Sequence, residues 1–265
     1  MEIAGYIASL IIGISLGLIG GGGSILTVPV MVYLFGVQPL LATSYSLFVV
    51  GVTSLFGAAT NYRKGLVNVK TALLFGVSSI ITVFFTRKLL IPAIKGITVT
   101  VAGFTITEPM FTMLLFSLLM IMAAFSMIVT KRKSTEENTS PKKNNFSRLF
   151  LYGIAIGFIT GLLGAGGGFL LIPTLVVLLG LPMKEAVGTS LLIIALNSLI
   201  GFTGDLGHFL IEWQLLLRVT LIAIAGILIG SQLSKKVEGE ILKKGFGWFV
   251  LIMGIYIITK ETFLR

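Results

Sequence analysis

Cysteine is absent from this chain of 265 residues, and histidine occurs only once. A chain without cysteine forms no disulfide and has no thiolate to act as a nucleophile or metal ligand. A single histidine cannot complete the H-E-x-x-H zinc motif, and neither a G-x-x-x-x-G-K-[ST] loop nor a complete G-x-G-x-x-G motif occurs. We therefore expect no enzyme activity, no cofactor and no bound metal ion.

Charged residues are also scarce. They make up 11% of the chain, against about 25% in an ordinary soluble domain. No Asp, Glu, Lys or Arg lies between Glu2 and Arg63, and further uncharged runs span 71–86, 109–130, 149–183, 186–204, 219–234 and 245–259. One helical crossing of a bilayer takes roughly 20 apolar residues. The chain is therefore predicted to be an all-α polytopic membrane protein.

The formal net charge of +10 has a different meaning in such a chain than in a soluble one. Lys and Arg lie mostly in short segments between apolar runs, where they indicate topology. We therefore expect the lipid bilayer, and no nucleic acid, as a partner. The sequence does not decide between a monomer and a homodimer.

The chain contains an internal repeat. Residues 20–57 align without a gap to residues 164–201, and the identities include Gly20 with Gly164, Pro29 with Pro173 and Ser46 with Ser190. Glycine and proline matches would not arise from two Leu-rich segments by chance. We predict two homologous transmembrane repeats, 1–130 and 149–265, joined by the polar cytoplasmic linker 131–148. Each repeat has a Gly-interrupted first segment followed by three transmembrane helices.

Loop charges predict the relative orientation of the repeats. Loop 61–70 holds three cations, whereas its counterpart 205–213 holds two acids and no Lys or Arg. Opposite charge character favours opposite sides of the membrane, which makes the repeats inverted. A predicted loop at 87–95, with Arg87, Lys88 and Lys95, would then lie outside, against the positive-inside tendency. Eight plain crossings with parallel repeats remain the alternative.

Each repeat interrupts its first segment with glycine, in "IGGGGSILTVP" at 19–29 and "LGAGGGFLLIP" at 163–173. Glycine costs a helix about 1 kcal/mol relative to alanine, and a broken backbone within a bilayer must be buried in protein or line a wet cavity. New helices capped by Ser24 and beginning near Phe169 would offer free N–H groups to a small anion. The predicted binding residues of the breaks are Gly20, Gly21, Gly22, Gly23, Ser24, Gly164, Gly166, Gly167 and Gly168. The alternative is that glycine simply allows close helix packing.

Polar side chains follow each break. The predicted binding residues here are Thr43, Ser44 and Ser46 in the first repeat and Thr189, Ser190 and Asn197 in the second. Hydroxyl groups can donate to anionic oxygens without burying another charge. They can equally bond back to their own helical turn.

Three ionisable residues, Asp205, His208 and Glu212, cluster at the end of the second repeat's next helix. Ionisable groups at membrane depth often gate or relay protons, so Asp205 and His208 are predicted gating or proton-coupling residues. The alternative is that His208 is an ordinary loop residue.

The paired motifs resemble those of the TauE/SafE sulfite exporter family. The resemblance is carried by Gly20–Pro29 with "ATSYSL" at 42–47, and by Gly164–Pro173 with "AVGTSL" at 186–191. It implies a bacterial or archaeal inner-membrane permease for sulfite or an organosulfonate. Together with the breaks, it predicts a secondary transporter that works by alternating access. An anion pore and a non-transporting membrane scaffold are the competing classes.

Overall fold

A computed structural model describes residues 2–94, 99–101, 104–129, 146–234 and 239–263. The predicted linker 131–148 lies almost wholly outside the described residues. The first repeat contains α1 (Glu2–Ile19), a 3-10 helix (Gly21–Leu26), α2 (Thr27–Tyr33), α3 (Pro39–Arg63), α4 (Val69–Phe85), a π-helical turn (Thr86–Leu90), α5 (Ile91–Ile94), β1 (Val99–Val101), β2 (Phe104–Ile106) and α6 (Glu108–Val129). The second contains α7 (Phe146–Leu163), α8 (Gly168–Leu179), α9 (Met183–Asp205), α10 (Trp213–Leu233) and α11 (Gly239–Phe263).

Six helices in the described part of the chain are long and apolar enough to cross a membrane. They are Pro39–Arg63, Val69–Ile94, Glu108–Val129, Met183–Asp205, Trp213–Leu233 and Lys244–Phe263. Shorter apolar helices cover Ile3–Ile19, Gly21–Tyr33 and Phe150–Leu163, on either side of the two breaks. The predicted polytopic, helical membrane protein is confirmed.

Two features differ from the sequence prediction. The expected loop 87–95 is helical up to Ile94, because Arg87 is buried inside the protein and does not mark the membrane surface. A short antiparallel hairpin, which pairs Val99 with Ile106, then follows. The described part of the chain is therefore nearly all-helical, with one small hairpin before α6.

The outer surface of α4 is apolar. Leu73, Val77, Ile81 and Phe85 are each more than half exposed, and their spacing of four residues places them on one face of the helix. A continuous apolar stripe would promote association in water, whereas in a bilayer it contacts acyl chains. This face of the helix therefore suits a lipid environment.

Glycine allows two helix pairs to pack closely. A Cβ atom on Gly13 would overlap the Ala223 carbonyl, and one on Gly226 would overlap the Leu10 carbonyl, so α1 and α10 are in backbone contact. On α7, Gly157 lies in the same way against the backbone of Ser79 on α4. Small residues at four-residue spacing are typical of membrane helix interfaces. Each of these pairs joins a helix of one repeat to a helix of the other.

The two most buried spans, α3 and α9, pack against each other in the centre and run in opposite directions. Gly188, in the second turn of α9, lies beside Asn61 at the end of α3. At the other end, Asp205 of α9 and Thr43 of α3 share a hydrogen-bonding partner, Arg87. The polar residues that follow the two breaks are thus carried on one central helix pair.

Replacing Gly226 by alanine tests the close packing of α1 on α10. The added Cβ would meet the Leu10 carbonyl and the Gly13 Cα, so we expect the variant to lose about 1–3 kcal/mol of stability through overpacking. Thermal unfolding in detergent measures the loss. Gly245→Ala is the control, because nothing lies within 4 Å of its Cβ position. An unfolding temperature that falls equally in both variants would contradict the close packing of α1 on α10 at Gly226.

Candidate functional site

The two glycine breaks lie in direct contact inside the protein. Every residue of 20–23 and of 164–168 is buried. A Cβ atom on Gly21 would overlap the Cα of Gly168, and the reverse substitution would overlap Gly21. The Ser24 hydroxyl hydrogen-bonds to the carbonyls of Gly21 and of Ala165, which joins the first break to the second. Close packing therefore accounts for Gly21 and Gly168 in this conformation, in which both breaks are shielded from solvent.

The backbone of the breaks requires glycine. Gly20 has a φ of 78°, and Gly164, Gly166 and Gly167 each have a φ of 66°. Residues other than glycine rarely adopt a backbone conformation in this left-handed region. At the breaks predicted from sequence, the backbone therefore leaves the helical conformation and takes left-handed φ values.

The predicted capping role of Ser24 is wrong. Ser24 lies inside the 3-10 helix and donates its hydroxyl proton to carbonyl groups, whereas a cap would accept from a backbone N–H. In the second break, α8 begins at Gly168, one residue before the expected start at Phe169. The second helix start was predicted well because its glycines end at that point.

The hydroxyl residues after the breaks are all buried, but several have partners within the protein. Thr43 donates to the Leu40 carbonyl at 2.7 Å, Ser190 donates to the Val187 carbonyl at 2.8 Å, and the Thr189 hydroxyl accepts the Asn68 N–H at 2.9 Å. Bonding within the helical turn therefore uses the proton of Thr43 and of Ser190. The buried hydroxyl of Ser46 has no partner in the described part of the chain, whereas that of Ser44 interacts with the Asp205 carboxylate.

Asn197 lies on α9 and is fully buried. Its Nδ2 donates to the Ser79 hydroxyl on α4 at 2.7 Å, while its Oδ1 has no partner among the described residues. Further unpartnered hydroxyls in this part of the chain belong to Thr27, Thr53, Ser54, Thr160 and Ser198. Buried polar groups are usually satisfied, so this interior has capacity for water or a polar ligand.

Of the residues predicted to cluster after α9, Asp205 is the buried one. Its carboxylate accepts from Arg87 Nη1 at 3.1 Å, and both side chains are buried. His208 is exposed, and its backbone N–H donates to the Asp205 carbonyl at 3.1 Å. The Glu212 backbone N–H donates to the Tyr45 hydroxyl at 2.6 Å. Asp205 is therefore part of a buried ion pair, while His208 belongs to the surface loop that follows.

Arg87 is the polar residue of this region that the sequence analysis did not single out. Its guanidinium group is fully buried, and Nη1 also donates to the Thr43 hydroxyl at 2.9 Å. A signal was present: Arg87 belongs to a cationic segment that inverted repeats would place on the disfavoured side of the membrane. A cation on the disfavoured side of the membrane is more readily explained if it is buried beside a negative charge, and Asp205 supplies that charge.

A cavity of about 500 Å³ opens elsewhere on the protein. Its lining includes Tyr6, Phe35, Glu212, Trp213 and Arg218. The Glu212 backbone also joins this lining to Tyr45, which is buried on α3. The cavity therefore lies at the end of the central helix pair that holds Asp205.

Comparisons with known proteins agree with this architecture. A 28% identical "Probable membrane transporter protein" of Xylella fastidiosa (strain Temecula1) aligns over 95% of this chain and 92% of its own length. The "Probable membrane transporter protein YdhB" of Bacillus subtilis (strain 168) is 26% identical over 94% of this chain and 96% of its own length. A relative named MJ0441 in Methanocaldococcus jannaschii, also a "Probable membrane transporter protein", is 24% identical over 95% of this chain and 93% of its own length.

No solved structure matches this chain. The family model described as "Sulfite exporter TauE/SafE" matches residues 6–257, which is nearly the whole sequence. The resemblance noted from the paired glycine motifs is thereby confirmed. This multi-pass membrane protein, built around two helix breaks in contact, belongs to the TauE/SafE family of membrane transporters.

Proposed function

We propose that this protein is a secondary transporter for a small sulfur oxyanion, sulfite or an organosulfonate, and that it works by alternating access. The observation that carries the proposal is the contact of the two helix breaks within the buried interior, at Gly21 with Gly168 and at Ser24 with Ala165. Broken helices that meet inside the protein are a recurrent design for transporter binding sites. The substrate class follows the name of the matching family.

We further propose that residues 1–130 and 149–265 are inverted repeats joined by 131–148. Two observations support this arrangement. The equivalent helices α3 and α9 run in opposite directions. The contacts are also reciprocal, because α1 packs on α10 while α7, its counterpart in the second repeat, packs on α4, the counterpart of α10.

The proposed binding region comprises both glycine breaks and the polar residues that follow them, as predicted from the sequence. All of these groups are buried, so the conformation described here is closed to solvent at this region. An anion can enter only if the packed glycines separate, which requires one group of helices to rock against the rest. The 500 Å³ cavity lined by Arg218 and Glu212 would serve as a vestibule at this end of the protein.

Asp205 and His208 are the proposed gating or proton-coupling pair. Asp205 is buried at the end of α9, whereas His208 is exposed three residues later, so the pair extends from the interior to the surface. The His208 backbone N–H is bonded to the Asp205 carbonyl, which couples the loop to the helix end. Movement of this loop would change the surroundings of the buried carboxylate.

Uptake into proteoliposomes tests the transport function. With radiolabelled sulfite outside, we expect saturable uptake that is accelerated by unlabelled sulfite inside, because a carrier returns faster when loaded. Linear uptake without this acceleration would indicate a pore. Absence of flux for both sulfite and methanesulfonate, with and without a proton gradient, would indicate a scaffold.

Replacing Gly21 by alanine tests the contact of the breaks. The Cβ would overlap the Gly168 backbone, so we expect sulfite uptake to fall by about tenfold or more, equivalent to roughly 1.4 kcal/mol of lost stabilisation. Gly76→Ala is the matched control, since this buried helical glycine has only Ile80 Cδ1 near its Cβ position, at 3.7 Å. Equal uptake by both variants, at equal amounts of folded protein, would count against a functional role for the contact.

Cysteine labelling tests the inverted repeats on a background that contains no cysteine. Lys64→Cys and Leu210→Cys each place one thiol on an exposed loop, and Leu210 is 94% exposed. We expect a membrane-impermeant maleimide to label only one of the two in intact cells, and to label both after the membrane is opened. Labelling of both in intact cells would refute inversion.

A further inference from the structure

Only one of the three nitrogen atoms of the buried Arg87 guanidinium group is hydrogen-bonded within the described residues. Nη1 donates to the Thr43 hydroxyl at 2.9 Å and to the Asp205 carboxylate at 3.1 Å. Nε and Nη2 have no partner in the described part of the chain. The side chain is fully buried, so these N–H groups do not contact bulk solvent. An arginine held in this way carries unused donors into the interior.

The free half has a specific shape. The Nε–H and one Nη2–H lie on the same edge of the planar guanidinium group and point in parallel. Two parallel donors match two oxygen atoms of one oxyanion, which is the basis of bidentate recognition by arginine. The contact with Asp205 uses the other nitrogen, Nη1, and one carboxylate oxygen, Oδ2. The bidentate edge is therefore left open by the ion pair.

The open edge lies at the second glycine break. A Cβ atom on Gly164 would be 2.7 Å from Nη2 of Arg87, and Gly164 has a left-handed φ of 66°. Gly204, beside Asp205, also lies close, since its Cβ would be 3.0 Å from the Arg87 Cβ. Glycine at these positions provides the space that the arginine occupies. The break thus brings backbone from the proposed binding region next to a cationic edge without hydrogen-bonding partners among the described residues.

We infer that the Nε/Nη2 edge of Arg87 binds the transported oxyanion, with Thr43 and Asp205 as positioning residues that hold the opposite side of the guanidinium group. This inference rests on the proposed transport function and changes the chemistry of its site. Backbone N–H groups and hydroxyls bind an anion through dipoles alone, whereas Arg87 adds the N–H donors of a cation whose charge is shared with Asp205. Asp205 balances that charge when no anion is bound, so the cation can remain buried in the empty carrier.

The predicted substrate preference follows from the two parallel donors. Sulfite and sulfonates present pairs of oxygen atoms at the spacing of the guanidinium edge, while chloride presents a single centre. Sulfite should therefore raise the thermal unfolding temperature of the detergent-solubilised protein more than chloride does at matched ionic strength. Equal responses of the wild type to both anions would overturn the inference, whatever the behaviour of variants.

Arg87→Lys keeps the charge and removes the parallel donors. We expect the Kd for sulfite, taken from the concentration dependence of the unfolding temperature, to rise by about tenfold or more, as for loss of one charged hydrogen bond. Lys88→Gln is the matched control, because it removes the neighbouring cation, which is exposed beside the Phe84 ring. An unchanged Kd in Arg87→Lys would overturn the inference.

A double variant separates ligand binding from a structural role. Arg87→Met together with Asp205→Leu removes both charges, and such apolar replacement of a buried ion pair is often neutral or stabilising. We expect this variant to elute as the wild type does in size-exclusion chromatography, and to lose both sulfite-induced stabilisation and sulfite uptake. Retained uptake would overturn the inference. If the wild type itself transports no sulfite, the proposed function fails instead, so the two failures are distinguishable.

Discussion

Inside a bilayer, an interrupted helix must find its hydrogen-bonding partners within the protein, because the surrounding lipid offers none. This constraint determines where the two glycine breaks can be. They lie against each other, fully buried, with the Ser24 hydroxyl bonded to backbone carbonyls of both breaks. The central helices α3 and α9 shield them, and the glycine-lined outer pairs bring the remaining helices close. Most of the architecture can be understood as enclosure of these two interruptions.

The polar interior that results is unusual in its hydrogen bonding. Among the described residues, hydroxyls near the breaks divide into those that bond within their own turn, such as Thr43 and Ser190, and those left without a partner, such as Ser46 and Ser198. The first group stabilises the helices locally. The second group, with Arg87 and Asn197, carries unsatisfied polar atoms that a ligand or water would satisfy. The free energy available for binding a polar solute is therefore concentrated around the central helix pair.

Local sequence predicted the features that have local causes. The breaks at 20–23 and 164–168 were predictable because glycine in a membrane segment is costly wherever it occurs, and the repeat between 20–57 and 164–201 is visible in the sequence alone. The role of Ser24 was not predictable, because its partner Ala165 is 141 positions away. The pairing of Arg87 with Asp205 likewise spans 118 positions. For that reason Arg87 was assigned to a loop at 87–95, where the structure continues the helix through a π-helical turn.

The glycine-lined contacts also determine which parts of the protein can move as units. The α1–α10 pair and the α4–α7 pair each combine one helix from the first repeat with one from the second. Backbones this close cannot slide without losing most of their contact surface. A motion that preserves both pairs therefore cannot separate the first half of the sequence from the second. The moving bodies of the proposed alternating-access motion would therefore be composite, with helices from each repeat in both, so the duplicated unit would differ from the moving unit.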